Sequence, residues 1–438
     1  MVNCYNDSID LNGILMTLKI LIIGSGGREH ALAWAFKQNP KCQELFCIPG
    51  NAGIARIAIC KTINIFDNDA ILEFCKENEV NFVMIGPEGP LENGLVDRLI
   101  ENDILAVGPK KKAAMLESSK SFTKMICSRR NIPTANYKVA HSEREALESL
   151  NEFTEPYVIK DDGLAAGKGV LIANNKQEAT EAVRNIFQHS KPGSKSIIIE
   201  EFLKGEEASI FILTDGVNML WLGSAQDYKK AFDNDLGPNT GGMGAYSPAL
   251  NLSPAIEKKV ISGIINPTLD EMRYNGTPYS GILYAGLMIV NNEPYLIEYN
   301  VRLGDPECQV LAVRLGAQFL DVLLSCAKQE LLGTKINYAE DTAITVVIAT
   351  KGYPGDYKIG SKIFGIDSID ENENIQVFHS GTALDGKQLI SKGGRVLSVT
   401  TRDNSLNSAR NKVYSAVEKI IFEDGFYRTD IGYKLPKD

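Results

Sequence analysis

Pro294-Tyr295-Leu296-Ile297-Glu298-Tyr299-Asn300-Val301-Arg302-Leu303-Gly304-Asp305-Pro306-Glu307-Cys308-Gln309 is the stretch on which the reading of this chain turns. Tyr295 to Val301 alternates like a strand, and side chains two apart point to one face, about 6.5 to 7 Å from each other. Glu298, Asn300 and Arg302 are therefore expected to share a face. A carboxylate and an amide carbonyl are hard oxygen donors of the kind Mg²⁺ takes, and a guanidinium fork two residues on suits a phosphate or carboxylate. The pattern fits metal-bound phosphate chemistry; a half-buried strand with a wetted polar face would carry the same residues. Gly304-Asp305-Pro306 stops the strand.

Working outward, the next segments are expected to supply the phosphate contacts. Tyr157 to Lys160 reads as a strand ending on a lysine, followed by Asp161-Asp162-Gly163-Leu164-Ala165-Ala166-Gly167-Lys168-Gly169-Val170. A glycine and alanine hairpin bearing a lysine suits a flap that closes over phosphates. It is not a Walker A loop, because the glycine spacing is too short and Gly169 stands where a Ser or Thr would hold Mg²⁺. Ser196 to Glu201 is an apolar strand reaching Glu200 and Glu201, and Glu206-Glu207 opens the next one. Acids at a strand end beside Phe202-Leu203 suit a base edge and ribose hydroxyls, or are solvated charges. The loop Gly237 to Pro248 is rich in glycine and proline, a composition that lets backbone approach a ligand closely.

Toward the N-terminus, Leu18 to Ile23 is an apolar run that breaks at Gly24-Ser25-Gly26-Gly27 and enters a helical pattern. Such a turn aims backbone N–H groups at an anion. The dinucleotide fingerprint needs a glycine where Glu29 sits, and no acid ends the next strand, so NAD is not expected. Further turns follow apolar runs at Pro49 to Gly53 and Gly86 to Pro90. Strands alternate with helices to about Gly108, as in a doubly wound parallel sheet. Beyond the quoted stretch, Val310 to Gly333 reads as helical, and a small α+β module begins near Thr342, with Gly393-Gly394-Arg395 its one polar turn of interest.

Composition bounds the answer. The chain has 438 residues, 44% hydrophobic and 23% charged, with a net charge of -9. That length suits several domains, and the charge argues against general affinity for nucleic acid. No apolar run approaches the roughly 18 residues of a membrane span. The eight cysteines show no metal or redox spacing and the four histidines are scattered, so reduced packing cysteines and a cytoplasmic setting are expected. Cys308 has no histidine near it in sequence and is expected to pack. Met1 to Thr17 lacks the basic start and apolar core of a signal peptide and reads as a loose extension, with Met16 an alternative start.

Taken together, Arg302 to Glu307, Gly237 to Pro248, Asp162 to Val170 and Gly24 to His30 resemble the phosphoribosylamine-glycine ligase (glycinamide ribonucleotide synthetase) family of the ATP-grasp superfamily. The resemblance runs from Leu18 nearly to the end. It implies an α/β and α+β multidomain chain: an N-terminal doubly wound substrate-binding domain at 18–118, an ATP-grasp domain of two α+β subdomains at 119–340 with its lid at about 137–204, and a small C-terminal α+β domain at 341–438. It implies ATP-dependent joining of glycine to 5-phosphoribosylamine through a glycyl phosphate, with Mg²⁺ or Mn²⁺, small-molecule partners only, no nucleic acid, no membrane and no obligate protein partner. Lys120, Lys160, Gly167 and Lys168 would meet the phosphates, Glu200, Glu201 and Leu203 the adenine, and Glu207 the ribose. Glu298 and Asn300 would hold the metal. Arg302 and Lys160 would be catalytic. Gly26, Gly27, Asn51, Glu88, Asp227, Asn239, Gly241 and Gly242 would surround glycine and phosphoribosylamine. Leu303, Asp161 and Tyr228 depart from residues common in the family, and none removes a ligand. Leu283 to Met288 lacks the acid that many ATP-grasp enzymes place there, so substrate phosphates and water are left to complete the metal's shell. An ATP-grasp enzyme of other specificity and a silent nucleotide-binding sensor are the competing readings.

Overall fold

The computed structural model describes residues 17–164, 169–188, 196–338, 340–369 and 374–433. The expected extension up to Met16 and the flap residues Gly167 and Lys168 lie outside the described residues. Strands β1 (Leu18–Gly24), β2 (Cys42–Pro49), β3 (Ile59–Cys60), β4 (Phe82–Ile85) and β5 (Leu105–Val107) form a parallel sheet in the order β3-β2-β1-β4-β5. The strands leading it are runs of Ile, Leu, Val and Phe buried on both faces, which suits a parallel sheet covered by helices. Strand order reverses between β1 and β4, so the loops after these two strands open on one crevice, at Gly24–Gly27 and Gly86–Pro90. The helix Gly27–Lys37 that follows β1 is buried almost all round. It is sandwiched between this sheet and the helix Glu307–Leu315 that leaves the quoted stretch.

The next four strands, β6 (Tyr137–Ala140), β7 (Tyr157–Asp161), β8 (Val170–Ala173) and β9 (Ile197–Glu201), form an antiparallel sheet in the order β6-β9-β7-β8. Helices Glu143–Ser149 and Lys176–Gln188 cover one face around Ile159, Ile197 and Ile199. Its other face is turned toward the largest sheet.

That sheet has nine strands. They are β10 (Glu206–Asp215), β11 (Met219–Asp227), β14 (Gly244–Ser247), β15 (Ser280–Val290), β16 (Glu293–Asn300), β17 (Thr342–Thr350), β18 (Ile375–His379), β21 (Arg395–Asp403) and β22 (Gly425–Phe426). Two short hairpins, β12 with β13 (Lys230–Phe232, Leu236–Asn239) and β19 with β20 (Thr382–Asp385, Gln388–Ser391), stand apart from it. β14 pairs with β11 on one side and β17 on the other, so the C-terminal α+β segment continues the central sheet.

The helical run expected over Val310–Gly333 is two helices, Glu307–Leu315 and Gln318–Ala327, bent by 105° at the break. Gly316 takes φ +56° there, which ends the first helix. Both helices are mostly buried, and among the described residues no single helix is long and apolar enough to cross a membrane.

Candidate active site

The strand β16 organises the site, but not by simple alternation. Its ladder with β15 slips between Gly286 and Leu287, opposite the step from Glu298 to Leu296. A bulge of this kind inserts one residue and re-aims its neighbours. Leu296 and Tyr299 stay in the core while Glu298 and Asn300 face a cavity of about 440 Å³. The strand ends at Asn300, so Arg302 comes from the bend beyond it and still lines the same cavity. The shared face expected from period two is thus a shared cavity reached through a bulge.

One end of the cavity lies between the four-stranded sheet and β15–β16. Val158, Ile172, Phe202, Leu203, Met288 and Leu296 give it apolar walls, a slot suited to a flat ring. Lys160 on β7 and Glu200 on β9 are diagonal neighbours across the ladder, because Val158 faces Glu200 and Lys160 faces Ile198. Lys160 Nζ lies 2.8 Å from Glu200 Oε2 and donates to the bulge carbonyl of Ile297 at 3.3 Å. Lys124 Nζ takes the other oxygen, Oε1, at 3.1 Å. All three side chains are buried. Two ammoniums on one carboxylate leave a positive surplus for an anion, and burial lowers the Lys124 pKa against the pull of Glu200. Lys120 Nζ donates to the carbonyls of Asp161 and Gly163 at 2.9 and 2.8 Å, and burial lowers its pKa too. Glu201 accepts from the Asn136 amide at 2.9 Å. Glu207 pairs with Lys229 at 2.7 Å at the cavity wall.

Asp227, Lys229 and Glu307 also line the cavity. Burial raises the Asp227 carboxyl to about 6 although Lys229 opposes it. Burial, with Asp227 adding to it, raises Glu307 to about 8. Burial disfavours the Lys229 ammonium, but Glu207 and Asp227 outweigh it and its pKa rises.

At the far end Arg302 is held by charge. Its Nε donates to Glu88 at 3.1 Å and its Nη2 to Glu117 at 2.8 Å, and Nη1 reaches the Leu303 carbonyl at 3.2 Å. The second oxygen of Glu117 accepts the Val301 amide at 2.7 Å, so this carboxylate fixes backbone and side chain together. Burial opposes the guanidinium charge, yet Glu117 and then Glu88 raise the Arg302 pKa. Burial raises Glu117 to about 7, while Glu88, despite burial, is drawn below its ordinary value by Arg302 and Arg28.

The loop residues divide. Asn239 and Gly241 line the cavity, and Gly242, at φ +113°, lies behind them, where a Cβ would come 2.4 Å from Pro306. Gly26 and Gly27 are not among the lining residues. The Gly26 amide donates to Glu29 Oε2 at 2.6 Å, so a carboxylate of the chain itself serves this turn, and a Cβ on Gly27 would press on Gln309. Asn51 is likewise tied into the chain, donating to the carbonyls of Ser25 and His379 at 2.8 Å and accepting from Gly53 and Ile54. Cys308 is buried and its thiol is pushed well up by burial, as a packing residue.

Sequence reasoning missed Lys124, Glu117, Lys229 and Glu307 and gave Arg395 no role, though all five line the cavity. Glu307 stood in the quoted stretch, and Lys229 two residues from Asp227. Lys124 follows Lys120 by one helical turn, a spacing that was open to reading.

For a metal, Glu298 and Asn300 offer two hard oxygen donors, neither tied up in a side-chain hydrogen bond among the described residues. No group of three or more His, Cys, Asp or Glu there could hold an ion. The donor set fits Mg²⁺, which keeps waters and substrate oxygens beside one or two protein ligands.

A slot between two sheets, buried lysines on its wall and an oxygen pair on a bulged strand fit an ATP-grasp ligase. Comparison with known proteins agrees over most of the chain. Three family models match: Phosphoribosylglycinamide synthetase N domain at 18–117, ATP-grasp (A) domain at 118–308 and C domain at 343–434. A phosphoribosylamine–glycine ligase of Mesorhizobium japonicum is 45% identical over 418 residues, 95% of this chain and 98% of that one. A crystal structure of phosphoribosylamine–glycine ligase from Thermotoga maritima has TM-score 0.82 at 35% identity, covering 94% of this chain and 100% of that one. The biotin carboxylase domain of Hydrogenobacter thermophilus 2-oxoglutarate carboxylase shares the fold, with TM-score 0.72 at 16% identity over 94% and 92% of the two chains. The chain belongs to the phosphoribosylglycinamide synthetase family.

Proposed function

We propose that this chain joins glycine to 5-phosphoribosylamine at the expense of ATP, giving glycinamide ribonucleotide, ADP and phosphate in purine synthesis in the cytoplasm. The observation that carries this reading is likeness to phosphoribosylamine–glycine ligases over 95% of a chain whose Lys160, Glu298, Asn300 and Arg302 converge on one cavity.

In this reading the apolar slot takes the adenine at Glu200 to Leu203, and Glu207 takes the ribose. Lys120, Lys160 and Lys168 hold phosphate oxygens. Mg²⁺, or Mn²⁺ in its place, supplies charge neutralisation on the phosphates when held by Glu298 and Asn300. A glycine carboxylate oxygen attacks the γ-phosphorus, and the bond to the ADP oxygen breaks. The phosphoribosylamine nitrogen then attacks the acyl carbon of glycyl phosphate, the bond to phosphate breaks, and the nitrogen gives up one proton to the departing phosphate. Arg302 stabilises the charge of the carboxylate and then of the acyl phosphate. Asp227, ionised above about pH 6, faces the glycine ammonium. No protein nucleophile takes part, so positioning and charge carry the catalysis.

The test is phosphate release from ATP and Mg²⁺ with glycine and freshly generated phosphoribosylamine each supplied and each omitted, the product being identified by mass. Release that needs both and yields glycinamide ribonucleotide is expected. Release indifferent to glycine would assign another acid substrate, and ATP binding with no turnover would assign a sensor.

A further inference from the structure

The proposed reaction leaves the C-terminal segment without a task, although one of its side chains, Arg395, lines the cavity. Arg395 Nη1 donates to the carbonyls of Gly241 at 2.8 Å and Gly242 at 3.4 Å, and also to the carbonyl of Asp305. Its Nη2 lies 3.4 Å from Asp305 Oδ2. One guanidinium therefore joins the main chains of two segments far apart in sequence, the glycine-rich loop and the turn after Arg302. From the same C-terminal segment, Tyr353 accepts the Gly241 amide on its hydroxyl at 3.0 Å. Gly241 is thus gripped at its N–H and its C=O by two side chains from beyond residue 350. The grip has its own seat, because the Tyr353 ring lies on Gly394, where a Cβ would come within 2.2 Å of it. Only glycine leaves room for the ring.

Loops of this composition have the most conformational freedom to lose on ordering. The opposite side of the loop is tied as well, Thr240 Oγ1 donating to the Lys229 carbonyl at 2.9 Å and accepting the Gly242 amide at 3.0 Å. These bonds shape the loop locally, whereas Arg395 and Tyr353 place it against the rest of the cavity. We propose that Arg395, with Tyr353, is a positioning residue that sets Asn239 to Gly242 for the acceptor substrates, so that the C-terminal segment is a working part of that site. The inference rests on the ligase reading above. Lysine is a poor replacement, since one ammonium cannot reach the three carbonyls met by Nη1 and the Asp305 carboxylate beside Nη2 from the two prongs of a planar fork.

The experiment compares Arg395→Lys and Tyr353→Phe with the wild-type protein in steady-state kinetics, ATP binding and amide hydrogen exchange. Arg395→Lys is expected to raise KM for glycine or phosphoribosylamine at least about tenfold, and Tyr353→Phe about fivefold, as loss of one hydrogen bond implies. ATP affinity is expected to stay within about twofold of wild type. Exchange in 237–244 is expected to quicken while exchange in β7 and β9 does not. Equal losses of ATP and acceptor affinity would mean a merely structural joint, and unchanged acceptor KM with unchanged exchange would overturn the proposal. If Arg395→Lys fails to fold, Tyr353→Phe decides, because it removes one hydroxyl from an otherwise intact ring. A wild-type protein that makes no glycinamide ribonucleotide would refute the ligase reading alone, since the exchange result does not depend on turnover.

Discussion

The two ends of the cavity keep their geometry by different means. At the slot end Lys160 and Glu200 stand on paired strands of one sheet, and the ladder fixes their separation before any charge is considered. At the other end Arg302 stands past a strand end and is met by Glu88 and Glu117, which lie 214 and 185 residues away in the chain. A site carried on strands inherits its precision from the backbone. A site assembled from a bend and two short helices distant in sequence depends on its ion pairs, and a fault in one segment passes to the others through the shared guanidinium.

The largest expected effect would come from the Arg302 end. Arg302→Ala should lower kcat at least about a hundredfold while ATP affinity stays within about twofold, because the lost charge acts during reaction. Initial rates with a separate ATP titration check this, and near-normal turnover would remove Arg302 from catalysis. On the strand-built end Glu200→Gln leaves two buried ammoniums facing a neutral amide, and KM for ATP should rise about tenfold with KM for glycine unchanged. A matching rise for glycine would show that the ends do not act separately. Glu298→Ala, at the junction, should raise the Mg²⁺ concentration for half-maximal rate about fivefold. An unchanged metal titration would count against Glu298 as a ligand. The smallest effect concerns Asp227, whose carboxyl burial lifts to about 6. It is ionised above that pH and loses its charge as pH falls through it, so KM for glycine should climb a few-fold, roughly threefold, between pH 7 and 5.5. Asp227→Asn should show the raised KM at both pH values; a pH profile identical to wild type would rule this carboxylate out.

The same contrast explains what was legible in the sequence. Local patterns announced the parallel sheet, because β1, β2 and β4 are continuous apolar runs punctuated by glycine turns, and they announced the strands that carry Lys160, Glu200, Glu298 and Asn300. The bulge in β16 left no mark, since Ile297 is an ordinary strand residue and the slip belongs to the pairing with β15. Glu117 was hidden for a related reason. Nothing near it in the chain indicates a partner at position 302, and a single acid before a helix reads as a solvated charge. The glycine turn at Gly24 to Gly27 was legible as a turn that aims amides at an anion, and in the structure the Gly26 amide meets Glu29, a buried acid three residues away. The break at Gly316 was written in the chain as one glycine inside a helical pattern, a signal that helices often tolerate.

One feature of the central sheet bears on how the molecule is made. β14 leans on β17, a strand encoded nearly a hundred codons downstream of it. At synthesis rates of about 5–20 residues per second, the nascent polypeptide carries β14 with one open edge for several seconds before its neighbour leaves the ribosome. An open strand edge is a template for pairing with another chain. Chaperones that shield strand edges should therefore be found on its nascent chains once Ser247 has emerged and before Thr350 has.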